Sequence, residues 1–115
     1  MSNILIGVVG PCAAGKSSLV EGLRKCGFIA KAIAQEHSYV QDMWRRITKP
    51  DILIFLDVSY PLTIERLNLN WTEAEYRIQC RRLDHARNLA DFYLCTDQFS
   101  VANVLDIVLN FLSNI

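Results

Sequence analysis

The sequence predicts a small three-layer α/β/α domain around a parallel sheet of about four strands. Three observations predict it. Two apolar runs, Ile4–Val9 and DILIFLDV at 51–58, are continuous rather than alternating, as strands buried on both faces require. Stretches with a helical period separate the strand candidates, so that strand and helix alternate along the chain. The first run ends directly in GPCAAGKSS, residues 10–18, a glycine-bounded turn that opens a helix.

The elements follow in order. From Lys16 the period changes, with Leu19, Val20 and Leu23 on one helical face and Gly27 a natural stop after Cys26. Phe28–Ala34 reads as a second strand, weakened by alanines. Ser38-Tyr-Val-Gln is a capping box, and Val40, Met43, Trp44 and Ile47 follow at helical spacing, which predicts a helix to Pro50 with a core-facing stripe around Trp44. After the strand at 51–58, Pro61 starts a short helix through Leu67. Asn68–Trp71 reads as an exposed loop. Thr72-Glu-Ala-Glu75 is a second capping box, opening a polar helix to about Asn88. Asp91–Cys95 is a modest fourth strand. Ser100 caps the last helix, whose predicted buried face carries Val101, Val104, Leu105, Val108 and Leu112.

The totals bound the function. The 115 residues suit one domain, 1–115, and Lys plus Arg equals Asp plus Glu at 12 each, so no long-range field favours nucleic acid or a membrane surface. The N-terminal apolar run is too short for a signal peptide or a membrane span. Cysteines 12, 26, 80 and 95 show no CxxC pair, and neither His37 nor His85 stands at a zinc spacing. A disulfide scaffold or structural metal is not expected, and a cytoplasmic protein fits.

Residues Gly10-Pro11-Cys12-Ala13-Ala14-Gly15-Lys16-Ser17 match GxxxxGK[ST] at every position, with Ser18 following. The chemistry accounts for each fixed residue. The loop must curl around a phosphate and aim successive N–H groups at it, and glycine permits that path. The helix that begins near Gly15 turns its free N–H groups and positive dipole end to the same anion. Lys16 then reaches the terminal phosphates, and the Ser17 hydroxyl holds Mg²⁺. Cys12 is a small residue that fits the loop, though a thiol there can be reactive.

On this motif the chain resembles the P-loop NTPase superfamily. DILIFLDVSYPLTIERL, TEAEYRIQCRRLDHAR and ADFYLCTDQFSVANVLDIVLNFL are similar to the later elements of its nucleoside and nucleotide kinase group. The resemblance implies ATP and Mg²⁺ as cofactors and phosphoryl transfer to a small-molecule acceptor. It departs from the group in one respect. Only Gly27 separates Cys26 from the second strand, so the usual acceptor-binding insertion is missing.

Phosphoryl transfer also needs an acid and further cations. Asp57 ends a strand, where parallel sheets bind ligands, and is a candidate acid or metal ligand; a strand-end cap is the alternative. Glu36 follows the second strand, at the position where the resemblance implies the catalytic acid, although Gln35-Glu36-His37 replaces the group's Asp-Arg pair. Asp42 is a weaker third choice. Arg77, Arg81, Arg82 and Arg87 lie on the 72–88 helix, either as a phosphate-covering lid, with Arg81 and Arg82 foremost, or as a solvated face paired with Glu73, Asp84 and Asp91. Trp71 can pack under that lid or on a base, and Asp97 stands where a base pocket could form.

The leading expectation is thus an ATP-binding, Mg²⁺-dependent kinase-like protein. A regulatory module that has lost catalysis, or a slow NTPase without an acceptor, is the rival. No Asn/Thr-Lys-x-Asp guanine-reading motif occurs, which disfavours a GTPase. Two open sheet edges leave room for a homodimer.

Overall fold

The computed structural model describes residues 4–67 and 70–115. Four strands form one wholly parallel sheet: β1 (Leu5–Val9), β2 (Ile29–Ala32), β3 (Ile52–Asp57) and β4 (Phe92–Cys95), in the order β2-β1-β3-β4. The continuous apolar runs become the central pair, β1 and β3. The weaker candidates, β2 and β4, take the edges, where Ile29 and Tyr93 remain exposed.

Alternation along the strands divides the core in two. Ile6, Val8, Ile54 and Leu56 face one side. There they pack on α1 (Lys16–Lys25) through Leu19, Val20 and Leu23, and on α6 (Val101–Ser113) through Val104 and Val108. Val9, Leu53 and Phe55 face the other side, against Trp44 of α2 (Met43–Arg46), Leu83, and Ala86 of α5 (Asp84–Leu89). Two further helices are α3 (Tyr60–Leu67) and α4 (Glu73–Arg82). Helices therefore cover both faces of the sheet. No helix among the described residues is long and apolar enough to cross a membrane.

Two capping signals work as read. Thr72 Oγ1 accepts from the Glu75 N–H at 3.2 Å while Glu75 Oε1 accepts from the Thr72 N–H at 2.9 Å. Ser100 Oγ accepts from the Asn103 N–H at 3.1 Å. The Ser38 capping box does not form. Ser38 instead closes a local turn onto Val40, and the buried Gln35 side chain organises the segment. Gln35 accepts the Trp44 N–H at 2.8 Å and donates to the carbonyls of Val40 at 2.8 Å and Arg82 at 3.1 Å. The expected long helix shrinks to four residues; Trp44 is buried, but Val40 and Ile47 are exposed.

Three further expectations change. The second strand is Ile29–Ala32, because a 3₁₀ turn at Gln35–His37 bends the chain away. The helix predicted over 72–88 breaks at Leu83, whose fully buried side chain packs on the sheet beside Trp44. Val101 is 62% exposed rather than on the buried face of the last helix. The proposed loop 68–71 lies partly outside the described residues; Asn70 is exposed and Trp71 half-buried.

Candidate functional site

The buried β1 strand delivers Gly10 to the carboxyl edge of the sheet, beneath the Leu56 carbonyl. A Cβ on Gly10 would lie 1.9 Å from that oxygen, so no other residue fits the turn. Ala13 is held at φ 72° and Gly15 at φ 99°, both left-handed, and together they curl the loop back to the start of α1. The curl is pinned from outside. Arg66, at the end of α3, donates to the Ala13 carbonyl at 3.1 Å and to Thr96 Oγ1 at 2.8 Å. Thr96, just past β4, donates in turn to the Ala14 carbonyl at 2.9 Å.

This path decides which amides are free. The Ala14 N–H is spent on Pro11, and the Cys12 N–H donates to Gln79 Oε1 at 3.1 Å. Among the described residues no acceptor takes the N–H groups of Gly15, Lys16, Ser17 or Ser18. These four amides, at the start of a ten-residue helix, form a cradle suited to an anion. Both serines are exposed there, and no side-chain hydrogen bond engages either hydroxyl among the described residues.

Lys16 folds back across the loop. Its ammonium donates to the carbonyls of Gly10 at 2.6 Å and Pro11 at 3.2 Å and to Glu36 Oε2 at 2.9 Å. The pair is buried, with side-chain exposures of 12% for Lys16 and 6% for Glu36. Glu36 Oε1, also buried, has no donor among the described residues. Arg82 from α4 donates to the Glu36 carbonyl at 3.3 Å, with its guanidinium 4.4 Å from the Tyr39 ring centre. Gln79, one turn earlier on α4, both accepts the Cys12 N–H and donates to Cys12 Sγ at 3.2 Å. The loop, Lys16, Glu36, Arg82 and Gln79 therefore meet at one place.

The other candidates lie elsewhere. Asp57 is held by its own neighbours: Val58 N–H donates to Oδ1, and Tyr93 and Arg87 donate to Oδ2 at 2.6 and 3.4 Å. Its side chain points, like Phe55, to the α5 face, and among the described residues no hydrogen bond links its carboxylate to the loop. The Tyr93 phenol sits well above its ordinary range, through burial first and then its bond to Asp57. Arg81 is exposed, with no side-chain hydrogen bond among the described residues. Arg77 pairs with Glu73 on a solvated face, and Asp42 pairs with Arg45 and Arg46. Asp97 accepts the Ser59 N–H at 2.9 Å. Burial disfavours its charge, yet that bond and its other donors outweigh burial and hold it below the usual carboxylate range. Trp71 packs edge-on to Tyr76 and donates to Thr63 Oγ1.

Beside the loop runs a cleft of about 600 Å³, walled by Ala13–Leu19 on one side and by Arg66, Leu67, Phe99 and Val101 on the other. Neither Glu36 nor Gln79 borders it, so the cradle lies between an apolar cleft and the Lys16–Glu36 cluster. Arg66, Gln79 and Thr96 were not singled out from the sequence. Arg66 and Thr96 carry no motif of their own, and Gln79 sits unremarked between the arginines of a polar helix. His37 stands near Glu36 and Cys12, with one potential ligand atom of each within 4.8 Å of the others.

No protein-family model matches the chain, and no curated protein matches it in sequence.

Proposed function

We propose that this chain binds a nucleoside triphosphate, with ATP the leading candidate, through Gly10–Ser18, and transfers its terminal phosphoryl group to a small acceptor. The observation that carries the reading is the set of four amides from Gly15 to Ser18, unpaired among the described residues, on the loop that the Lys16 ammonium crosses. A triphosphate tail is the ligand whose charge and oxygen count suit such a set. The apolar cleft against Phe99 and Leu67 suits the base.

The chain's residues then take distinct parts. Backbone N–H groups and Lys16 bind the phosphates and oppose the charge of the transition state. The exposed Ser17 hydroxyl, free of protein partners, fits a Mg²⁺ ligand; Asp57, with both carboxylate oxygens engaged, does not. Mg²⁺, when bound, would neutralise charge on the phosphates and orient them. Glu36 is the acid that the fold brings to Lys16. As the acceptor oxygen bonds to the γ-phosphorus and the bond to the β-phosphate oxygen breaks, Glu36 takes the acceptor's hydroxyl proton. Arg82, already against the Glu36 backbone, supplies a nearby cation.

A second reading, a nucleotide-binding module without turnover, is favoured by one observation: Lys16 is already satisfied by Glu36 and two carbonyls. Titration with ATP and GTP, with and without Mg²⁺, followed by γ-phosphate release in the presence of nucleosides, nucleotides and small metabolites, separates them. Acceptor-dependent turnover establishes the kinase, and binding without turnover the module. Nucleotide affinity unchanged by Lys16→Ala would refute both.

A further inference from the structure

Cys12 Sγ, one carboxylate oxygen of Glu36 and one ring nitrogen of His37 all lie within 4.8 Å of one another. We infer that these three side chains bind a soft divalent cation of the zinc class across the mouth of the Gly10–Ser17 loop. Each ligand is poised differently. Glu36 is divided: Oε2 holds Lys16, while Oε1 is buried with no donor. A buried oxygen without a partner is costly, and a cation removes that cost. Cys12 is fixed by Gln79, which grips its N–H with one amide atom and donates to its sulfur with the other. A donor to the sulfur is the outer contact that orients a thiolate ligand. The His37 side chain is 62% exposed, with Nε2 3.8 Å from Glu36 Oε2, and is free to swing inward.

The geometry requires little movement. Tetrahedral zinc with nitrogen, oxygen and sulfur ligands sets its donor atoms about 3.5 Å apart, so the cluster, within 4.8 Å throughout, need contract by no more than about 1 Å. The imidazole can supply that motion without disturbing the sheet. Three protein ligands leave a fourth position for water. Thiolate and imidazole select zinc over magnesium, so this site is distinct from the one at Ser17. Binding releases the Cys12 thiol proton to solvent, and thiolate and carboxylate then offset most of the charge that the ion and the Lys16 ammonium together bring. The ion would also occupy the carboxylate that holds Lys16 and that would take the acceptor's proton. Metal and nucleotide then exclude each other, and this consequence alone rests on the nucleotide reading.

Co²⁺ is the probe, added to the full chain carrying Cys26→Ser and Cys95→Ser, which removes the exposed thiols. The expected result is a thiolate-to-cobalt charge-transfer band saturating at one ion, with one proton released and Zn²⁺ displacing the cobalt. Cys12→Ser removes the band, and His37→Ala, a surface change that leaves the fold alone, weakens Co²⁺ binding about tenfold or more. No band, or a band that survives Cys12→Ser, overturns the site. For the consequence, nucleotide affinity is compared with and without Zn²⁺ in the parent and in Cys12→Ser, which corrects for chelation by the nucleotide. Loss of affinity only in the parent supports exclusion, and equal loss in both overturns it. Co²⁺ binding in a chain that takes no nucleotide would leave the metal site standing and remove the nucleotide reading.

Discussion

Replacing Lys16 with methionine tests whether the buried pair organises the site. Methionine keeps the length of the side chain and removes the charge. Glu36 is then left 6% exposed, with one oxygen already lacking a donor and the other newly so. Removing one partner of such a pair costs about 3–5 kcal/mol, a large share of the roughly 5–15 kcal/mol that holds a domain of this size. Glu36→Gln is milder, because Lys16 keeps the Gly10 and Pro11 carbonyls and a glutamine amide can face them; about 1–2 kcal/mol is expected. The double variant carries no buried charge and should resemble Glu36→Gln alone, a coupling of about 3–5 kcal/mol. Urea denaturation of the four proteins measures this, since 3 kcal/mol lowers the midpoint by roughly 1–3 M. Additive effects, with coupling under about 0.5 kcal/mol, would refute the buried-pair argument. On the proposed nucleotide reading, Lys16→Met should abolish nucleotide binding in the same proteins. Glu36→Gln should remove turnover but tighten binding about tenfold, because a negative charge would no longer face the phosphates.

Other perturbations probe the frame. Gly10→Ala forces a methyl carbon to within 1.9 Å of the Leu56 carbonyl, and should cost about 3 kcal/mol or more in urea denaturation. Arg66→Ala unpins the Ala13 turn from Thr96. Nucleotide affinity should fall about tenfold in a calorimetric titration, with stability lowered by only about 1–2 kcal/mol. Tyr76 is pushed well above its ordinary value of 10.0, chiefly by burial and then by its contact with Cys80. An acid held protonated by the fold contributes stability below its unfolded value and loses it as pH rises. Unfolding free energy should therefore decline above about pH 10 by up to ~1.4 kcal/mol per pH unit from this group, and Tyr76→Phe should flatten that slope.

Much of the architecture could be read from the chain because its signals are local. The continuous apolar runs became β1 and β3, and the Thr72 and Ser100 caps formed as their spacing required. What failed was tertiary in origin. Ser38 lost its helix to Gln35, a buried amide that binds the Trp44 N–H from nine residues away. Leu83 ended α4 because the sheet beneath offered it a buried place. The loop itself was visible as a motif, but its supports were not. Gln79 reaches Cys12 across 67 residues and Thr96 reaches Ala14 across 82, separations at which no periodicity carries information. Glu36 and Asp57 looked alike in sequence, each an acid beyond an apolar run. Strand order and face parity separated them, sending Asp57 to Arg87 and Glu36 to Lys16.

That separation bears on how the site would operate. An ammonium with three acceptors is already satisfied, whereas the exposed amides of the helix start, unpaired among the described residues, are open to a ligand. A phosphate entering the cradle satisfies the amides first and meets Lys16 only by drawing it from Glu36. The released carboxylate then has neither oxygen paired, in a place where water is scarce, and its demand for a proton or a cation rises at that moment. A hydroxyl acceptor can meet that demand with its proton, and so can the cation inferred at Cys12 and His37. On the proposed reading Glu36 would couple phosphate capture to the appearance of a base, and a metal on its second oxygen would for the same reason oppose the nucleotide.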